Sequence, residues 1–511
     1  MYISLKPEVD VGNRSRIGRY TLRWCCPAIV AIAIAGCAVG PDYKNPTVEI
    51  PTHFKEGVDW QRANANPQAS LSSTWWLDYH DETLTRLIDE AQKANQSIAQ
   101  AEAAYRLAQA AVMASEASFF PTIDAGMSGS RSGTGVGAAG ANGTSTGILK
   151  PGVHNFVAAD VSASWELDLW GGIRRQLESS KASAEGSAAQ LAGARLSIAA
   201  SVATAYFNLR LADVNIDLLK QQQQLDTRVL DMTRASYAQG VSPNDSVLAA
   251  QDTLELVIAG LQATQTSREQ NEHALAVLTG VPPDRFTIAP EPHYAFMAPA
   301  VPLTLPSQLL ERRYDVVSAE RAAASANAKI GVAEAAFFPT LTLSAQGGFQ
   351  HNALANLFSV PNRFWTLGPD LAATIFDGGA RTAAVREARA TYDESVADYR
   401  GTVLAAFQSV EDSLSSWNHL RQQEQAYADI YARNKQLFES ERAQFHVGRT
   451  SEQSLFSEQI TLLLAQQNLE NTQALLTLSS VTLIKNLGGG WQWDGAKNAP
   501  VNVTSSSVSS R

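Results

Sequence analysis

The sequence predicts a mixed α/β membrane protein that is mainly α-helical and is built from two internal repeats. The segment SEASFFPTIDAGMSG begins at Ser115, and the similar segment AEAAFFPTLTLSAQG begins at Ala333. Each segment leaves an alanine-rich helical pattern, passes two phenylalanines and a proline, and enters an alternating apolar and polar pattern. Alternation with a period of two indicates a strand, whereas apolar residues every three or four positions indicate a helix. The chain therefore contains two copies of a helix–strand unit.

The N-terminus has the features of a bacterial export signal. Four arginines between residues 14 and 23 precede an apolar stretch at residues 27–35, which is too short to span a bilayer as a helix. The stretch runs into IAGC, which resembles a bacterial lipobox, where a signal peptidase cuts before the cysteine and lipid is attached to its sulfur. We therefore expect a signal peptide at residues 1–36 and a lipidated N-terminal segment at residues 37–75, with acyl chains such as palmitate on Cys37. The alternative is an ordinary signal peptide with an incidental cysteine.

Cysteine usage and charge argue against a disulfide-bonded protein and against a nucleic-acid-binding protein. Cys25 and Cys26 lie inside the signal peptide, so the mature chain would keep Cys37 alone and form no disulfide. Ala38 follows the lipidated position; an aspartate there often means inner-membrane retention in the lipoproteins that this signal resembles, so alanine favours the outer membrane. The net charge of −10, with no basic tract after the signal peptide, argues against a nucleic-acid partner.

No pattern in the sequence indicates catalysis. The eight histidines show no metal-ligand spacing, and the chain has no G-x-S-x-G motif. We therefore expect no enzyme activity, no metal site and no cofactor apart from the covalent lipid on Cys37.

Four strands are predicted, at about residues 119–131, 155–169, 339–351 and 364–376. Strands of roughly 10 residues with one apolar face suit a transmembrane barrel, although a soluble sandwich with one hydrated face gives the same pattern. The smallest barrels have about 8 strands, and unpaired strand edges are not tolerated in lipid. If these strands span a membrane, several chains must share one barrel.

Long helical runs follow the second strand of each copy. Between Ile173 and Gln239 the chain has no proline and carries a seam of apolar residues in steps of three and four, and a similar seam runs from Val385 to Trp417. Each long helical run as a whole, and not its seam alone, would be roughly 100 Å long. Such a helix must pack along its length against something equally long. Two shorter helices placed end to end would match it in each copy.

The elements therefore divide the chain into two repeats. Repeat 1 covers residues 76–280 and repeat 2 covers residues 306–490, each in the order helix, strand, strand, long helix, turn, helix. The turns lie near residues 240 and 448. The proline-containing residues 281–305 form a linker, and residues 491–511 form a C-terminal tail.

Several motifs together resemble one known family. They are GCAVGPDYKNPTVEIP at the mature start, both FFPT junctions, WELDLWGGIRR, IFDGGAR and the two turns. With them the chain resembles, over residues 37–490, the TolC-like outer-membrane efflux proteins, and within them the NodT-type lipoproteins that serve resistance-nodulation-division pumps. The resemblance implies a homotrimer in the outer membrane, with a 12-stranded transmembrane β-barrel made from four strands per chain and a long α-helical coiled-coil barrel in the periplasm.

The resemblance also implies a function and partners. Members of this family act as passive exit ducts for small molecules, with outer-membrane lipid around the barrel. A periplasmic adaptor protein docks on the helical tip, and an inner-membrane transporter of the resistance-nodulation-division class, contacted directly or indirectly, drives export. The turns that match the adaptor-docking, gate-proximal turns contain Gly240, Val241, Ser242, Gly448, Arg449 and Thr450.

This sequence departs from the family at the expected gate. Many members close the tip with acidic residues about six and nine places after the second-repeat glycine, where this chain has Ser454 and Ser457. Gln453 and Glu458 are their neighbours. We therefore expect a weakly charged constriction formed by Gln453, Ser454, Ser457 and Glu458.

Two other functions share parts of this pattern. A duct for type I protein secretion has the same fold, but the lipobox and the mature N-terminal motif favour small-molecule efflux. A lipid-anchored periplasmic adaptor also has a long helical hairpin, but adaptors lack the paired amphipathic strands that are repeated here.

Overall fold

The computed structural model describes residues 38–49, 54–57, 73–134, 152–299 and 313–490. The helices are α1 Glu82–Ala94, α2 Gln96–Ala117, α3 Gly172–Ala238, α4 Asn244–Leu278, α5 Tyr314–Ala335, α6 Ala380–His446 and α7 Glu452–Asn486. The strands are β1 Thr122–Thr134, β2 Gly152–Leu167, β3 Thr340–His351 and β4 Arg363–Ala372. Among these residues, no helix carries an apolar stretch of the length and hydropathy needed to cross a membrane.

The chain divides into two compact units. Of the described residues, unit 1 comprises those up to Lys44, those from Gln109 to Ala182 and those from Ala324 to Glu394, and the others form unit 2. Unit 1 contains the sheet, and unit 2 contains the larger helical core.

The four strands of unit 1 form one antiparallel sheet in the order β1-β2-β3-β4. The register aligns Ile123, Ala163, Ala345 and Leu367 across the four strands, so every odd-numbered residue lies on one face. The predicted fourth strand, 364–376, is too long, because β4 ends at Ala372. The reason is that the Arg381 guanidinium donates to the carbonyl oxygen of Thr374 at 2.7 Å, so this segment joins the start of α6.

Both long helices begin with the same aspartate–arginine pair. The Asp168 carboxylate accepts from the backbone N–H of Arg174 at 3.0 Å and from its guanidinium at 3.0 Å. The Asp377 carboxylate accepts from the backbone N–H of Arg381 at 3.2 Å and from its guanidinium at 2.7 Å. A carboxylate at a helix N-terminus satisfies free N–H groups and interacts favourably with the helix dipole. The motifs WELDLWGGIRR and IFDGGAR therefore encode the transition from sheet to helix.

The helical run before the first FFP junction is two helices rather than one. It breaks at Asn95, whose backbone is extended with φ −69° and ψ 129°. The Asn95 side-chain oxygen accepts from the N–H groups of Ser97 and Ile98, and its amide donates to the carbonyl oxygen of Leu278. Asparagine favours this position because its side chain replaces the helical hydrogen bonds. The predicted helix at 306–336 begins within the described residues at Tyr314.

The core of unit 2 lies where the long helices meet the shorter ones. The second apolar seam is buried from its middle to its end, at Tyr399, Val403, Ala406, Val410, Leu414 and Trp417. From Tyr399 to Leu414 this seam shares one cluster with Tyr206 and Leu209 of α3 and with Leu84 and Ile88 of α1. The long helices are therefore held by side-chain packing, as their length requires.

A buried ion-pair network fixes the described part of the predicted linker. The Asp213 carboxylate accepts from the guanidinium groups of Arg210 at 3.1 Å and Arg268 at 2.6 Å, and from the backbone N–H of Glu291 at 3.1 Å. Arg210 also donates to the carbonyl oxygen of Ala289 at 2.9 Å. Each buried charge is paired, which offsets its desolvation.

Replacing Asp377 should make stability depend less on pH. The Arg381 side chain, followed by the backbone N–H groups of Gly379 and Arg381, lowers the pKa of Asp377 to about 2. An unfolded aspartate titrates near about 3.9, so the stabilisation is complete above that pH and is lost as the pH falls toward about 2. We expect Asp377→Asn to lower the melting temperature of the purified protein at neutral pH, and the difference to narrow below about pH 4.

Asp393→Asn is the matched control, because Asp393 is an exposed residue of the same helix. A difference between Asp377→Asn and the native protein that stays constant down to the lowest pH would contradict the capping role.

Candidate functional site

The two interhelical turns have the same backbone geometry. Gly240 and Gly448 have φ values of +72° and +73°, a region that glycine enters without steric cost. In each turn the glycine N–H donates to the carbonyl three residues back, and the next N–H donates to the carbonyl five residues back, at 2.8 to 2.9 Å. This pair of bonds is the Schellman motif. The sequence-predicted docking residues all lie in these turns, namely Gly240, Val241, Ser242, Gly448, Arg449 and Thr450.

The hairpins that carry the turns differ in packing. The α3–α4 hairpin buries Leu230, Thr233 and Val247 close to its turn. In the α6–α7 hairpin, every residue from 418 to 462 is described and none of them is buried. Phe456 and Ile460 of α7 pack against a buried cluster that includes Leu463, but they stay half-buried, so the second tip has no fully buried apolar side chain like those near the first turn.

Polar contacts hold the second tip instead. The Glu441 carboxylate of α6 accepts from the hydroxyls of Thr450 at 2.5 Å and Ser454 at 2.7 Å. These bonds, the one from Ser454 first, lower the pKa of Glu441. One carboxylate thus joins the end of α6 to the turn and to the first turn of α7.

The first hairpin has the hydroxyls but no equivalent carboxylate. At an offset of 208 residues, Thr450 and Ser454 correspond to Ser242 and Ser246, and Glu441 corresponds to Thr233. The Thr233 hydroxyl donates to the carbonyl oxygen of Val229 at 2.8 Å, within its own helix. The carboxylate contact therefore distinguishes the second turn from the first.

The expected gate residues occupy the first turns of α7. Ser454 is bound to Glu441, and the Ser457 hydroxyl donates to the carbonyl oxygen of Gln453 at 3.0 Å. Gln453, Ser454 and Ser457 are exposed, and Glu458 is half-buried. In the described part of the chain, no hydrogen bond or ion pair joins residues 240–242 to residues 448–450.

The sequence pattern alone does not point to Glu441. Its partners lie 9 and 13 residues further along the chain, so no helical spacing rule connects them. A register count would have done so, because positions equally distant from Gly448 on the two helices of a hairpin face each other, which places Glu441 near residue 455.

Two tryptophans fix the junctions between helix and sheet in unit 1. The Trp165 indole donates to the carbonyl oxygen of Phe119 at 2.9 Å, and the Trp170 indole donates to that of Pro339 at 2.7 Å. The apolar face of the sheet is open beside them, with Ile123 71% and Leu367 73% exposed. Phe358, in the loop after β3, packs on Phe349 of this face, and β1 and β4 form the two edges of the described sheet.

Two further predictions from the sequence concern lipidation and metal binding. Cys37, the expected lipidation site, lies outside the described residues. Over the residues that the structure describes, no three His, Cys, Asp or Glu side chains lie close enough to hold a metal ion.

Comparison with known proteins connects these features to one family. The family model for outer membrane efflux proteins matches residues 87–281 and 305–489. The probable efflux pump outer membrane protein TtgC of Pseudomonas putida is 29% identical over 480 residues, which cover 93% of this chain and 97% of TtgC. The pyoverdine export outer membrane protein OpmQ of the same species is 30% identical over 457 residues, which cover 85% of this chain and 92% of OpmQ.

Among solved structures, the outer-membrane channel OprN is similar to this chain in both sequence and fold. It superposes with a TM-score of 0.78 at 27% identity, covering 89% of this chain and 100% of the OprN chain.

Removing the Glu441 charge should loosen the second turn without unfolding the protein. We expect Glu441→Gln to speed amide hydrogen exchange at residues 448–454 about tenfold, because a charge-assisted hydrogen bond is replaced by a weaker neutral one. The melting temperature should stay unchanged, since residues 418–462 contribute no buried side chain.

Glu439→Gln is the control, because Glu439 pairs with Arg442 on its own helix and not with the turn. Equal exchange rates in both variants would refute the role of Glu441 at the turn.

Proposed function

The chain belongs to the outer membrane efflux protein family, and from this membership we propose that it is the passive exit duct for small molecules in a tripartite resistance-nodulation-division pump. As a member of this family it is an outer-membrane channel component and not an enzyme. Channels of this class form trimers and work with a periplasmic adaptor and an inner-membrane transporter. The identity of these two partners as a resistance-nodulation-division pair is our proposal.

The four-stranded sheet with two open edges is the observation that carries the proposal. Its apolar face is exposed, and β1 and β4 each present unpaired N–H and C=O groups in this chain. Lipid tolerates such edges only when they are paired, and four strands are fewer than the roughly 8 of the smallest barrels. Three copies that pair β4 of one with β1 of the next give 12 strands, which supports a shared barrel with a central passage.

We propose that the two turns are where the adaptor docks. They supply matched backbone reversals at the ends of two 67-residue helices, with Val241 and Val447 largely exposed. We also propose that Cys37 carries covalent lipid and anchors the N-terminal segment in the outer membrane. No bond is made or broken in transport, because the transporter supplies the energy and the duct supplies the path.

Site-specific cross-linking tests the docking proposal. In cells that express the cognate periplasmic adaptor, Ser242→Cys should cross-link to the adaptor through a short thiol-to-amine reagent, because this residue lies in the first turn. Ser118→Cys is the control, since Ser118 is an exposed residue at the junction with the sheet. Adaptor cross-linked equally to both positions, or to neither, would contradict docking at the turns.

The proposed gate is weakly charged, and single-channel recording tests it. The exposed side chains of Gln453, Ser454 and Ser457 carry no charge, so a trivalent cation added from the periplasmic side should block the native channel poorly. The double variant Ser454→Asp, Ser457→Asp should gain strong block, because three chains would place six carboxylates around one constriction. Nanomolar block of the native channel would contradict the proposal.

A further inference from the structure

Residues 38–42 occupy a groove in unit 1 between α3, α5 and the turn that follows β2. The backbones approach so closely that side chains are excluded at the contact points. A Cβ atom on Gly40, where φ is +99°, would lie 2.4 Å from the Cα of Gly331, and one on Gly171 would lie 2.7 Å from the Cα of Ala38. Gly331 lies in the interior of α5, where glycine is less favourable than alanine. The close approach gives a physical reason for glycine there.

The groove also satisfies the polar backbone atoms of the segment. The Arg175 guanidinium, in a residue only 6% exposed, donates to the carbonyl oxygens of Val39 at 3.2 Å and Gly40 at 3.1 Å. It also pairs with the Asp42 carboxylate at 2.8 Å. A buried guanidinium directed at consecutive carbonyls is a specific arrangement, because burying this charge is costly unless its donors are used.

Two more hydrogen bonds complete the contact. The Asn327 side chain, in a residue 4% exposed, donates to the carbonyl oxygen of Pro41 at 2.9 Å. The Val39 N–H donates to the carbonyl oxygen of Trp170 at 2.9 Å. The segment is therefore bound through its main chain at three carbonyls and one N–H group.

The groove leads to the helix-facing end of the sheet. The Trp170 ring stacks on Phe338 at 4.7 Å, and β3 begins at Thr340 two residues later. Tryptophan and phenylalanine at the ends of membrane strands favour the interface between lipid and water. Cys37 is bonded to Ala38, so the groove sets where a lipid on Cys37 leaves the protein.

We propose that this groove is a docking site for residues 38–42 that holds the lipid-bearing N-terminus at the membrane interface, and that trimer assembly depends on this placement and not on lipidation alone. The inference rests on the proposed lipidation of Cys37. A lipid on a docked segment enters the inner face of the outer membrane beside the sheet. A lipid on a free tether of ten flexible residues ranges over roughly 17 Å, more than half of a hydrocarbon core of about 30 Å.

Three variants separate placement from simple packing. Gly40→Val changes only the segment and should undock it, because its Cβ would collide with the Gly331 backbone. A ten-residue flexible linker between Cys37 and Ala38, with alanine as its first residue, leaves the docked segment intact and frees only the lipid. The control inserts the same linker between Lys44 and Asn45, which are both exposed. It preserves the docked segment and the direct bond between Cys37 and Ala38.

The measurements are palmitate labelling and the fraction of detergent-resistant trimer in outer-membrane extracts. We expect full labelling in all variants and about tenfold less trimer for both Gly40→Val and the linker after Cys37, with the control linker at the native level. A native trimer fraction for the linker after Cys37 would overturn the proposal, because the segment would then act only as a structural strut. Absence of label from the native chain would also overturn it, while efflux measured in the same cells reports on the duct function separately.

Discussion

The hydrogen-bonding requirement of strand edges in lipid governs the architecture of this protein. Four antiparallel strands leave one open edge on β1 and one on β4, and most of the apolar face of the described sheet is exposed. Water could form hydrogen bonds with the unpaired backbone N–H and C=O groups of these edges, but lipid cannot. The remedy is the pairing of copies, and rotational symmetry then places a passage on the shared axis. The two long helices follow the sheet in the chain: α3 begins after β2 and α6 begins after β4, and each has 67 residues.

The two interhelical turns share one backbone geometry but are stabilised by different contacts. Both turns use a glycine at positive φ and the same pair of reversed hydrogen bonds. Around the first turn the stabilisation comes from buried apolar contacts, and around the second it comes from a carboxylate that accepts from two hydroxyls. Apolar packing resists water, whereas exposed polar contacts exchange with it at low cost. The second hairpin is therefore the part of this pair that can change partners more easily.

The periodicity of the sequence predicts the order of the helices and strands. It does not predict where a helix breaks or a strand ends early. Alternation over two residues and seams over three and four located the strands and the long helices, and the family resemblance based on the motifs is confirmed by the family model. The break at Asn95 was missed because asparagine inside a helical pattern gives only a weak signal, and its partner, the carbonyl of Leu278, is distant in sequence. The end of β4 was placed too late because the hydrogen bond from Arg381 to Thr374 overrides an alternating pattern that continues past it. At the candidate site, the glycines were readable from the turn pattern, but Glu441 was not, since it acts across a hairpin.

The junction at Asn95 ties three helix ends to one side chain. Its oxygen starts α2, its backbone N–H closes α1, and its amide binds the last carbonyl of α4. Gly280 lies against the same point, because a Cβ there would meet the carbonyl oxygen of Ala94 at 2.7 Å. Fraying cannot then begin at any one of these termini without exposing polar groups on the other two. The three helix ends are therefore coupled, and we expect local opening at one of them to weaken the other two.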